Sequence, residues 1–228
     1  MAFDRSTPAA RSSAYATVPR NGSLTGGGTE GNERLTAASG ALLLVLLAVL
    51  GVTILQIRQL LWVHLFVGML LIPPVMLKMS STGYRFTRYY TSDPAYRRKG
   101  APELALRLLA PLVVLTTVTV FSTGVALLFV GPASRGTLLQ IHKVSFFAWL
   151  VVTALHVLGH LPGMPAVLRA DYSHGAGELS SDVTGRAGRV LALAGALVAG
   201  VVLAVVLIPE FHAWLQWASL DHGHDHGH

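Results

Sequence analysis

LLQIHKVSFFAWLVVTALHVLGHLPG, residues 138–163, sets three histidines, His142, His156 and His160, into a run that is otherwise apolar. The run is long enough to cross a bilayer, which takes about 20 residues. A histidine in a lipid-spanning segment is costly to bury, so each one is a functional candidate if the segment does span. Whether it spans is decided by the rest of the chain.

The chain has 228 residues, 52% hydrophobic and 12% charged, which is outside the range of a soluble domain. Further apolar runs of spanning length lie at Ala37–Gln56, Leu60–Met79, Ala105–Val130 and Ala187–Ile208, alongside Leu138–Leu161. The expected fold is therefore all-α: an integral membrane helical bundle of five transmembrane helices running up and down. Only Ile57, Arg58 and Gln59 separate the first two runs. One unbroken helix over 37–79 would be about 65 Å long, twice the hydrocarbon thickness, so a tight hairpin near Arg58 is required. Residues 1–36, rich in Gly, Ser, Thr and Pro, are expected to form a disordered arm, and 209–228 a His-rich tail. The first apolar run starts too far along the chain, and is too long, for a cleavable signal.

Five spans divide the 17 Lys and Arg residues into fourteen on one side and three, Arg58, Arg135 and Lys143, on the other. The positive-inside rule then expects a cytoplasmic N-terminus and an extracytoplasmic C-terminus in the cell membrane. The net charge of +6 follows from this topology and is no sign of nucleic-acid binding. With no cysteine, disulfides, thiolate-bound iron–sulfur clusters and covalent C-x-x-C-H haem attachment are excluded. There is no Gly-rich dinucleotide motif and no phosphate loop. Redox chemistry here would need a non-covalent cofactor.

The second and fourth runs cross in the same direction. His64 is four residues past Leu60, and His142 is four past Leu138, so the two imidazoles lie at one depth near the outer face. Fourteen residues further stand Lys78 and His156, about 21 Å deeper and within about 40° of the same direction. Two facing histidines at one depth suit a six-coordinate haem b. Gly51, Gly68 and Gly124 fall near that level, where missing side chains leave room for a flat ring. The same glycines also read as the small residues at which membrane helices close-pack. The histidines, too, have a plainer reading, as imidazoles hydrogen-bonded near a wet interface.

The H-x13-H spacing of His142 and His156 resembles the paired ligand spacing of di-haem cytochromes b in quinol-oxidising complexes. The bundle as a whole resembles the small cytochrome b subunits that anchor formate dehydrogenases and hydrogenases, over about residues 37–161. That likeness implies His64 and His142 as ligands of an outer haem and His156 as one ligand of an inner haem. It also implies a membrane quinone and a redox partner subunit. Lys78 stands where the fourth histidine of the pattern belongs. One haem b per chain is therefore expected, with Lys78 an interfacial anchor; His156 and His160 are left for a propionate, a quinone or a second haem.

Three other features carry chemistry. The segment Tyr84–Pro102 interleaves four tyrosines with five basic residues. It reads as a positive-inside aromatic belt, with Arg85 and Arg88 as candidates to meet haem propionates or anionic head groups. Pro73 and Pro74 are expected to kink the second span, lining either a quinone pocket or a packing contact. The terminus DHGHDHGH, with Asp221, His222, His224, Asp225, His226 and His228, has the composition to bind zinc, copper or nickel without a fold. Sequence thus favours a membrane haem b electron-transfer protein whose catalytic subunit, if it has one, is another chain. A metal-cation-binding membrane protein and a cofactor-free membrane scaffold remain as alternatives.

Overall fold

A computed structural model describes residues 28–91, 104–160 and 183–224, with side chains for 34–91, 107–159 and 188–219. Six helices follow in order: α1 Gly28–Leu55, α2 Ile57–Tyr90, α3 Leu104–Val130, α4 Gly136–His160, α5 Val183–Val206 and α6 Ile208–His224. The first five are long and apolar enough to cross a membrane. Large side chains are exposed along their outer faces, Ile141, Val144, Phe147, Val151, Leu155 and Leu158 on α4 among them. Hydrophobic character all round a helix is what a lipid-facing bundle requires.

The hairpin between α1 and α2 turns on Gln56 alone (φ −128°, ψ 44°), and the first turn of α2 is distorted at Leu60 (φ −108°, ψ 20°). Gln56 O accepts from both Gln59 N and Leu60 N, at 3.1 and 2.9 Å. The break brackets Arg58, and it needs neither Gly nor Pro because one carbonyl accepts from two amides. The turn from α3 to α4 does use glycine: Gly131 has φ 75°, and its N–H closes on Leu127 O. Helix α2, at 34 residues, is about 51 Å long and projects a basic end carrying Tyr84, Arg85 and Arg88. Arg107, at the start of α3, meets this projection by donating to the Tyr90 hydroxyl.

Two boundaries differ from the sequence expectation. Helix α1 begins at Gly28, inside the segment 1–36 read as an arm, and Ile208–His224, all but its first residue within the segment 209–228 read as a tail, forms α6. The latter has a packing cause. Phe211 and Trp214 are buried against Met69, Leu127, Leu128 and Ala204, and Trp214 Nε1 donates to Leu127 O at 3.2 Å. Arg135, in the α3–α4 turn, lies 3.8 Å from the centre of the Trp217 ring. Helix α6 thus covers the end of the bundle where both hairpins turn.

The five long helices fall into two groups. Helix α2 packs extensively on α1 and α5, and α3 on α4, while α2 and α3 meet sparingly. The α2 backbone stays helical through Pro73 and Pro74, and Pro74 is fully buried. Pro74 has no N–H for Leu70 O, the carbonyl one turn before it. Gly200 of α5 is seated on that carbonyl so closely that a Cβ there would overlap it. At the proline pair the structure thus shows a packing contact between α2 and α5.

Candidate functional site

Helix α2 carries His64 and α4 carries His142, both at the hairpin end and both half-buried. Each histidine belongs to a different helix group. Each is also held by the helix its own hairpin folds back on. His64 Nδ1 is 3.0 Å from Thr53 Oγ1 of α1. His142 Nδ1 is likewise 3.0 Å from Thr123 Oγ1 of α3. Both hydroxyls also bond backward into their own helices: Thr53 to Leu50 O at 2.6 Å, Thr123 to Thr119 O at 2.8 Å and Val120 O at 3.0 Å.

The three glycines differ in what surrounds them. A Cβ on Gly124 would stand 3.1 Å from His142 Cε1, so the α3 backbone presses against the ring edge. Gly68 is one turn from His64 on the same face, and a Cβ there would meet no atom within 4 Å. Gly51 also faces open space and is exposed. Gly124 fixes a ring, whereas Gly68 leaves room beside one.

Lys78 is turned to α1. Its ammonium donates to Thr36 O at 2.5 Å, and its stem passes Gly40, where a Cβ would come within 3.3 Å of Nζ. Thr36 O also accepts from Ser39 Oγ, and Thr36 Oγ1 is 3.3 Å from Ser81 Oγ. This is a polar latch between α1 and α2 at the basic end. His156 is half-buried on α4 one turn from Thr153, whose hydroxyl oxygen is buried without a hydrogen-bond partner among the described residues. Above them, Trp149 Nε1 donates to Thr117 Oγ1 of α3 at 3.0 Å.

Arg85 and Arg88 lie 21 and 24 residues beyond His64, about 31 and 36 Å along the helix, which is out of reach of any group held between His64 and His142. Arg88 is 5.8 Å from the Tyr84 ring centre, within the aromatic cluster at the basic end. Side chains of His160, Asp221, His222 and His224, and all of Asp225, His226 and His228, lie outside the described residues. Among the described residues no three His, Cys, Asp or Glu side chains gather into a group able to hold a metal ion.

The structure therefore gives His64 and His142 matching threonine partners in their own hairpins and ties Lys78 to α1. Sequence reading missed Thr53 and Thr123. The available signal was a hydroxyl in each hairpin's first span, close in sequence to a glycine already singled out. Compared with family models, curated proteins and solved structures, the chain matches none of them.

Proposed function

We propose that this chain is a membrane haem b protein that passes electrons between a quinone pool and a partner protein, with His64 and His142 as the axial ligands of one haem. The observation that carries the reading is the pair of imidazoles at the hairpin end, one from each helix group and each held at Nδ1 by a threonine of its own hairpin, with open room at Gly68 one turn from His64. The donor set fits the group: two nitrogen ligands suit a low-spin iron, and among the described residues no carboxylate is gathered with them. When bound, haem supplies reversible one-electron chemistry between ferrous and ferric iron.

The chain's own residues do the rest. His64 and His142 would hold the metal, Gly124 confines the His142 ring, and Leu50, Val63 and Phe121 join an apolar cluster of α1, α2 and α3. Dry surroundings favour the less charged ferrous state. Lys78, engaged with Thr36, supports one haem per chain. The orientation, with the basic end in the cytoplasm, rests on the positive-inside rule. Among described side chains that end has Arg34, Lys78, Arg85, Arg88, Arg107 and Arg189, against Arg58, Arg135 and Lys143 at the other.

The test is the pair of variants His64→Ala and His142→Ala. Each should abolish the same low-spin spectrum, since removal of either ligand leaves five-coordinate iron, while the protein stays in the membrane. A full low-spin spectrum in both variants would rule the pair out as ligands.

A further inference from the structure

The hydrogen atoms around the two histidines can be counted. Thr53 Oγ1 lies 2.6 Å from Leu50 O, and a carbonyl oxygen has no proton to offer, so the hydroxyl proton must lie between them. That hydroxyl has only one proton. Its 3.0 Å contact with His64 Nδ1 is then attractive only if Nδ1 carries hydrogen and the hydroxyl oxygen accepts. The same count holds in the other hairpin. Thr123 shares its proton between Thr119 O and Val120 O, so the 3.0 Å contact with His142 Nδ1 requires an Nδ1–H. A neutral imidazole protonated at Nδ1 has its lone pair on Nε2.

We infer that Thr53 and Thr123 are positioning residues that hold His64 and His142 as Nδ1–H tautomers, so that both Nε2 lone pairs are presented to one metal centre. In water a free imidazole side chain prefers the opposite tautomer, with hydrogen on Nε2, and a ligand in that form would have to shift its proton before binding. Here each histidine is set by a threonine of its own hairpin. Two Nε2 acceptors cannot hydrogen-bond each other, which speaks against the pair as a structural contact. A hydroxyl is also a neutral acceptor, so it orients the ring without drawing off the Nδ1 proton as a carboxylate would.

This inference rests on the haem reading, and its test separates the two. Full-length Thr53→Val, Thr53→Ser, Thr123→Val and Thr123→Ser are compared with the parent chain for haem retention, low-spin absorption and midpoint potential. Loss of such an orienting group typically weakens metal binding by about 10- to 100-fold. Each Val variant should therefore lose haem on dilution or shift in potential, and each Ser variant, which keeps the hydroxyl, should behave as the parent. Val variants that match the parent in both readouts would overturn the inference while leaving the haem reading intact. If the parent chain binds no haem, the haem reading fails, and the tautomers are read directly by 15N NMR of the histidine-labelled full chain. Nδ1–H signals at both positions, lost in the Val variants, would sustain the positioning role; Nε2–H signals in the parent would overturn it.

Discussion

Replacing Gly200 by alanine adds one methyl group where α5 crosses α2, and its cost follows from the proline pair. Because Pro74 has no N–H, Leu70 O lacks its helical donor, and the α5 backbone closes on it at Gly200. The added Cβ would overlap the carbonyl oxygen and crowd Leu70 C and Cα, at 3.1 and 3.2 Å. These are backbone atoms and cannot rotate aside, so one helix must move. Overpacking of this kind costs about 1–3 kcal/mol, toward the upper end where the obstacle is rigid. Alanine returns up to about 1 kcal/mol of helix propensity. The net loss is about 1–2 kcal/mol, a factor of roughly 5 to 30 in the folded-to-unfolded ratio. Gly195, on the same helix, is the control, since a Cβ there meets no atom within 4 Å and gains only the propensity. Reversible unfolding in mixed detergent–lipid micelles should rank Gly195→Ala at or above the parent and Gly200→Ala clearly below it. Equal stability of the two variants would refute the close crossing of α2 and α5.

Three further outcomes follow from the same geometry. Lys78→Met removes the donor to Thr36 O and should weaken the α1–α2 contact by about 1 kcal/mol while leaving haem content unchanged; a fall in haem per chain would instead make the lysine a ligand. Gly124→Ala should reduce haem retention by pushing His142 a few tenths of an ångström, whereas Gly51→Ala, with nothing within 4 Å of the new methyl, should not; similar losses in both would show that the Gly124 contact is not what positions the ring. A phosphatase fused after His228 should be active only as an exported reporter, and activity from a fusion in the 162–182 segment instead would reverse the orientation.

The five spans were legible because uninterrupted apolar runs of bilayer length have few other uses in a chain with so little charge. Helix α6 was not, since IPEFHAWLQWASLDHGH is of mixed polarity and is held by the burial of Phe211 and Trp214 against three other helices, a tertiary effect. His64 and His142 could be singled out because a histidine in an apolar span stands out by residue type. The role of Lys78 could not, because its partner is a main-chain carbonyl, which leaves no trace in side-chain pattern. Thr53 and Thr123 were hidden for a related reason. Threonines in membrane helices routinely bond back to their own carbonyls, as Thr116 and Thr119 do here, so nothing in residue type marks the two that also hold a histidine.

The measurement closest to the central claim is pyridine haemochrome quantification of the purified full-length chain, taken with its reduced and oxidised absorption spectra. The account predicts haem b at close to one per chain, with the sharp bands of a six-coordinate low-spin iron. A colourless protein would contradict it outright, and a ratio near two would contradict the assignment of His64 and His142 as the chain's single haem site.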